Sequence, residues 1–236
     1  MAGRASTNKQ TDGPIRLPAI RGHQTLEAMV YATLRSSIGN GEIRPGQRIS
    51  INEAAEQLGV SRLPVIHALR RLASEGFVVL RPHREVVAAN PTTEEIRGRL
   101  LIMSALGGLA GREALPRLDD SHIAQFRTAH EEFIAAQREP IDPERSMEKD
   151  TIFHTMLWRA AEIPQLYNML ETLWDQGRFY RALYFKERQF IPARISQHER
   201  ILRAIEARDA DELAEAITEH QLATLGRVTY VLEQRR

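Results

Sequence analysis

Residues 58–72 read LGVSRLPVIHALRRL, and the punctuation of this stretch decides the fold. Gly59 stops a preceding helix and Ser61 is suited to cap the next. Pro64 falls in its first turn, where backbone N–H groups lack intrahelical partners and a missing donor costs little. Val65, Ala68, Leu69 and Leu72 recur at helical spacing and form an inward stripe. Arg62, Leu63, Ile66 and Arg70 fall on the opposite side. A short helix that follows a tight turn and exposes its arginines suits the major groove of DNA, with its N-terminal residues at base edges.

Upstream, Leu26, Met29, Val30, Leu34 and Ile38 mark a helix from about Thr25 to Ser37, which GNGEIRPGQ (39–47) breaks with Gly and Pro. Ser50 and Glu53 carry the spacing of a capping box and open a helix from Ile51 to Leu58 that includes Asn52. Downstream, FVVL (77–80) and EVVAA (85–89) flank RPHR (81–84) and read as a β-hairpin with a basic tip. Arg81, His83 and Arg84 would then lie near phosphates or the minor groove. Three helices followed by a hairpin make a winged helix-turn-helix, placed at residues 25–89. Residues 1–24 are polar, contain Gly and Pro, lack the apolar run of a signal peptide, and read as a flexible arm.

The 236 residues suit two domains, and 42% apolar with 27% charged residues is the composition of a soluble globular chain. No cysteine occurs, which removes disulfides and thiolate ligands and fits a reducing cytoplasm. The longest apolar run, LLIMSALGGLAG (100–111), falls short of the roughly 20 residues of a membrane span. The net charge of +1 conceals an asymmetry. Residues 1–90 carry 12 Lys and Arg against 7 Asp and Glu, whereas residues 91–236 carry 20 against 24. A basic first third joined to an acidic remainder fits a nucleic-acid-binding module fused to a second domain.

After a short linker (90–93), residues 94–236 read as an antiparallel all-α bundle. Thr92 or Thr93, Asp119, Asp142-Pro143, Pro164, Pro192 and Asp209 with Glu212 mark its helix starts. Within it, DTIFH sets Asp150 and His154 at i and i+4 on one helix side, together with Met147, Leu157 and Ala161. His198 lies among Ile195, Leu202 and Ile205, and His220 among Leu213, Ile217 and Thr224. Inward-facing ionisable groups must pair, bind a cation or become neutral. A lone inward histidine is more often a hydrogen-bonded core residue than a ligand, but one divalent metal would satisfy all four groups at once.

Across residues 25–88, NGEIRPGQRIS, AAEQLGVSRLPV and ALRRLASEGFVVLRPHR resemble the winged helix of GntR-type bacterial transcription regulators. That resemblance implies a homodimer on a palindromic operator, with Arg62 at a base-reading position. Three positions depart from the family pattern. Ile66 and Asn52 stand where Arg or Lys is usual, and Glu85 stands where the wing tip usually has Gly. Ile66 can instead meet a thymine methyl. Across about 94–230, DTIFHTMLWRA and QHERILRAIEARDADELAEAITEH resemble the FCD effector domain of the same regulators. The resemblance implies a zinc, nickel or manganese ion held by Asp150, His154, His198 and His220 at the base of a pocket for a small carboxylate effector. Arg99 corresponds to a family arginine of that pocket, although Met103 replaces the Glu usual four residues on. EIPQL likewise lacks an Asn common at that turn. Arg178 and Arg181, after Trp174, are further candidates to neutralise a carboxylate.

A mainly α regulator of transcription is therefore expected, with no catalytic residues. Two alternatives share its metal site: a metal-dependent hydrolase using a metal-activated water, and a metalloregulator that senses the ion itself.

Overall fold

The computed structural model describes residues 25–81, 85–138 and 141–234. The first part contains α1 (Leu26–Gly39), β1 (Arg48–Ile49), α2 (Ile51–Gln57), α3 (Arg62–Ser74), β2 (Val78–Arg81) and β3 (Glu85–Ala88). The second contains α4 (Thr93–Ala114), α5 (Asp120–Ala135), α6 (Pro143–Ala160), α7 (Pro164–Gln176), α8 (Arg178–Tyr184), α9 (Ile191–Ala207) and α10 (Ala210–Glu233). Short 3-10 turns at Leu115–Arg117 and Arg188–Phe190 precede α5 and α9. This is the expected winged helix-turn-helix followed by a helical bundle.

In the winged helix, α3 buries Val65, Ala68, Leu69 and Leu72 against Val30 and Leu34 of α1 and Phe77, Val78 and Val86 of the wing. The hairpin β2–β3 is antiparallel with Val79 opposite Val87. A third strand not foreseen from the sequence, β1, pairs with β3 and places Arg48 opposite Val87. At two residues it is too short to show the alternation that marks a strand. Local capping also differs from expectation. Ser50 Oγ accepts from Glu53 N at 3.3 Å, one half of the capping box. Ser61 occupies the N-cap of α3 without a side-chain bond. Pro64 is the reason: it stands at the third helical position and has no N–H for the Ser61 hydroxyl to accept.

In the bundle, Thr92 and Glu95 close a full capping box on α4, and Asp119, Asp142 and Asp209 cap α5, α6 and α10. Helix α4 packs along α10 through small residues. A Cβ on Gly111 would come within 2.8 Å of Ile217 Cδ1, so a larger residue there would make the Ile217 side chain shift. Phe126, Phe153, Leu157, Trp158, Ile201 and Ile217 belong to the main core. A second cluster around Phe133, Tyr180, Tyr184, Phe185 and Val228 closes the end nearer the winged helix. The sequence marks one helix too few here, because Gly177 divides the α7–α8 region into two.

That division makes a corner on which the winged helix sits. Arg35 of α1 pairs with Asp175 at 2.7 Å, and Arg178 Nε donates to Asn40 Oδ1 at 2.9 Å. The Gln176 amide donates to the carbonyl of Glu75. Gly41 has φ +78°, and a Cβ there would lie 2.7 Å from the Phe179 ring. Both backbone sign and space therefore call for glycine. Burial raises the Asp175 carboxyl above its usual range, against the pull of Arg35.

Candidate metal centre and nucleic-acid interface

Asp150 and His154 lie one turn apart on α6, His198 is on α9 and His220 on α10, and all four are buried. One ligand atom from each falls within 4.8 Å of all the others. His154 Nε2 faces His220 Nε2 at 3.1 Å, His198 Nε2 is 3.1 Å from Asp150 Oδ1, and His154 Nε2 is 3.7 Å from the same oxygen. Three Nε2 atoms thus converge on one carboxylate. Phe133 and Phe153 sandwich the His198 ring at 4.3 and 4.6 Å, and Trp174 lies 5.0 Å from the His154 ring. These aromatic walls hold the imidazoles in place.

Protonation decides whether such a cluster can hold a cation. Burial drives His154 down to about 3 against the pull of Asp150. Burial likewise pushes His198 and His220 well below 6.5. Near neutral pH the rings therefore carry free lone pairs. Neither ring nitrogen of His198 makes a hydrogen bond among the described residues. His220 Nδ1 is 3.3 Å from Gln197 Oε1, which also accepts from Arg227 Nη2 at 2.5 Å. The amide oxygen can only accept, so Nδ1 of His220 carries the proton and its Nε2 is left unprotonated toward the cluster. Unpaired ring nitrogens, neutral imidazoles and an oriented outer partner fit a divalent metal ion.

A small cavity lies beside His220, lined by Arg99, Met103, Trp174, Tyr180 and Arg181 among others, with no carboxylate among its described lining residues. Arg181 is buried, donates to the Trp174 carbonyl at 2.6 Å and lies over the Trp174 ring at 3.7 Å. Arg99 donates to the carbonyl of Gln176 at 3.2 Å and lines this cavity together with a second small one between bundle and winged helix. Tyr180 also lines both. Arg178 does not join them. From the first turn of α8 it points away from the cluster to Asn40, correcting its expected place in the pocket. The four-residue separation of Arg178 from Trp174 cannot be read as a direction when a helix breaks between them, as it does at Gly177.

Two arginines were missed by the sequence reading. Arg194 is buried, donates to Gln137 Oε1 at 2.8 Å and lies over Phe185 at 4.2 Å, and Arg227 is the partner of Gln197. Their spacing was the available signal, since Arg194 is i−4 from His198 and Arg227 is i+7 from His220, on the faces that carry the ligands. With Arg181 they set three buried guanidinium groups around one buried carboxylate, Asp150. Such an interior favours anions.

On the winged helix, Asn52, Ser61, Arg62, Leu63 and Arg70 are exposed and Ile66 is half-buried. Arg62, Ile66, Arg70 and Arg81 line one groove of about 870 Å³ between α3 and the wing. Arg81 pairs across the hairpin with Glu85 at 3.8 Å. His83 and Arg84 lie outside the described residues.

The FCD domain model matches residues 100–223, and the model of bacterial regulatory proteins of the gntR family matches residues 26–87. The chain belongs to the GntR family, with an FCD domain. The HTH-type transcriptional repressor RspR of Escherichia coli (strain K12) is 27% identical over 198 residues, 84% of this chain and 86% of that protein. The HTH-type transcriptional regulator McbR of the same strain is 25% identical over 201 residues, 84% and 90% of the two chains. The solved structure of E. coli McbR/YncC shares the fold with a TM-score of 0.75 at 22% identity, covering 90% of this chain and 99% of that one. A GntR regulator from Rhodococcus sp. RHA1 does so with a TM-score of 0.69 at 21% identity, covering 86% and 97%. This GntR chain is thus a DNA-binding transcriptional regulator, and the hydrolase alternative is set aside because family and relatives are regulators rather than enzymes. No helix among the described residues is long and apolar enough to cross a membrane.

Proposed function

We propose that this regulator is a cytoplasmic repressor that binds a palindromic operator as a homodimer and responds to a small carboxylate metabolite held at a divalent metal ion. Asp150, His154, His198 and His220 would hold the ion, whose positive charge would supply an attachment point for a carboxylate oxygen. The observation that carries the reading is that His220, one of the four clustered residues, also lines the cavity that Arg99 and Arg181 line. Arg181 presents a guanidinium already fixed on Trp174, and Arg99 stands where a bound anion would compete with the Gln176 carbonyl. The apolar wall formed with Met103 excludes water and strengthens both attractions.

On the DNA side, Arg62, Leu63, Ile66 and Arg70 of α3 would enter the major groove, with Ser61, Asn52 and Arg81 toward the backbone, and His83 and Arg84 assigned with them from sequence. Support for a second copy comes from α4, where Leu101, Ala105 and Leu109 are exposed at successive turns beside exposed Ile102. An apolar ridge of this kind favours burial against another chain.

Anisotropy of a labelled operator tests the whole reading. Full-length protein loaded with zinc should bind a selected duplex specifically, and Arg62→Ala should weaken it by about 1–3 kcal/mol. Candidate mono- and dicarboxylates should shift that affinity only when metal is present. Metal alone shifting operator affinity, with every acid silent, would replace the metabolite reading by ion sensing. Salt-labile, sequence-blind retention would sink the operator reading.

A further inference from the structure

Leu63 stands at the most outward position of the recognition helix. Counting about 100° per residue, it lies opposite the mean direction of Val65, Ala68, Leu69 and Leu72, the residues that α3 buries. Its 60% exposure is the highest among the large exposed hydrophobics of the winged helix. Ile66 lies one turn further on, half-buried, and Leu80 of the wing, 51% exposed, lines the same groove. Arg62 and Arg70 share this outward face, both on the Ile66 side of Leu63, and are exposed. The reading face therefore combines exposed aliphatic groups with cationic ones, which suits base edges bordered by phosphates.

Major-groove base edges offer hydrogen-bond donors and acceptors, to which a leucine side chain has nothing to give. The apolar feature they present is the 5-methyl group of thymine. We infer that Leu63, backed by Ile66, reads a thymine methyl in each operator half-site, and that this contact takes the place of a polar base contact at the head of α3. The inference rests on the operator reading above and adds the base that the helix selects. Leu63 sits in the first turn of α3, where recognition helices touch bases, while the adjacent Arg62 is free to hold the duplex by a phosphate or a guanine.

The test removes the apolar group from each side of the contact: the methyl of the base, and the isopropyl group of Leu63. Duplexes are enriched from a random library with the full-length protein, and each thymine of the enriched half-site is replaced in turn by uracil, which differs only by that methyl. One position should lose about three- to fivefold in affinity for the wild type, the value expected for one buried methyl. Leu63→Ala should bind the thymine duplex more weakly and lose all discrimination between thymine and uracil at that position. It should keep the wild-type salt dependence, because no phosphate contact changes. The substitution is at an exposed site, and an unchanged melting temperature checks the fold. Uracil tolerated at every position, or Leu63→Ala retaining the thymine preference, overturns the inference while leaving the operator reading intact. Failure of any duplex to enrich overturns both.

Discussion

At the scale of single residues, the buried cluster of Asp150, His154, His198 and His220 should make the chain acid-sensitive. Burial holds His154 near 3 and His198 and His220 far below their ordinary 6.5. In the unfolded chain the same imidazoles titrate near their ordinary value, so below about pH 6.5 the unfolded state takes up protons that the folded state refuses. Stability of the metal-free protein should accordingly be full above that pH and fall as pH drops toward about 3. Melting curves in chelator at pH 7.5 and 5 check this, and His154→Asn should flatten the dependence. Zinc should raise the melting temperature at pH 7.5 and do so less at pH 5, since protons compete for the lone pairs. Gln197→Ala, which frees the outer nitrogen of His220, should cost about 10- to 100-fold in zinc affinity measured against a competing chelator. Asp150, His154, His198 and His220 were legible because helical spacing alone puts each on an inward stripe. The pairing of Gln197 with Arg227 was not legible, although the spacing of Arg227 from His220 marks its face, because the bond crosses from α9 to α10 and no periodicity encodes which residues meet there.

Elements were legible where they carry their own signals. Capping residues and prolines place α4, α5, α6, α9 and α10, and a four-residue apolar stripe orients α3. β1 and α8 lack such signals. β1 exists because β3 offers it a partner, and α8 is set apart from α7 by Gly177, whose role depends on the turn around it. Ser61 shows how neighbouring rules interfere: a good cap residue is disarmed by a proline in the helix it opens. The turn after α1 gives the sharpest test at this scale. Gly41→Ala places a methyl against the Phe179 ring in left-handed backbone, and should cost about 1–2 kcal/mol in denaturant unfolding with α1 and α8 both loosened. An unchanged midpoint would show that this close approach does not bear on stability.

For the molecule as a whole, charge asymmetry foretold two modules but not how they are mounted. The contacts that mount them, Arg35 with Asp175, Arg178 with Asn40 and Gln176 with Glu75, join residues more than 100 positions apart and leave no local trace. The ridge on α4 is likewise visible only once Met103, Ser104, Gly107 and Gly108 are known to face inward. Leu101→Glu with Leu109→Glu should yield a monomer by sedimentation while the melting curve of the bundle persists. Operator affinity should fall steeply, since one half-site cannot replace two.

Arg99 and Tyr180 form a wall one side chain thick, with the anion-favouring cavity on one side and the cleft beneath the winged helix on the other. Messages through such a partition run both ways at equal strength. On the proposed reading, by whatever factor an acid loosens the grip on DNA, the operator must loosen the grip on the acid, so a cell crowded with binding sites for this regulator would also retune the concentration at which it listens.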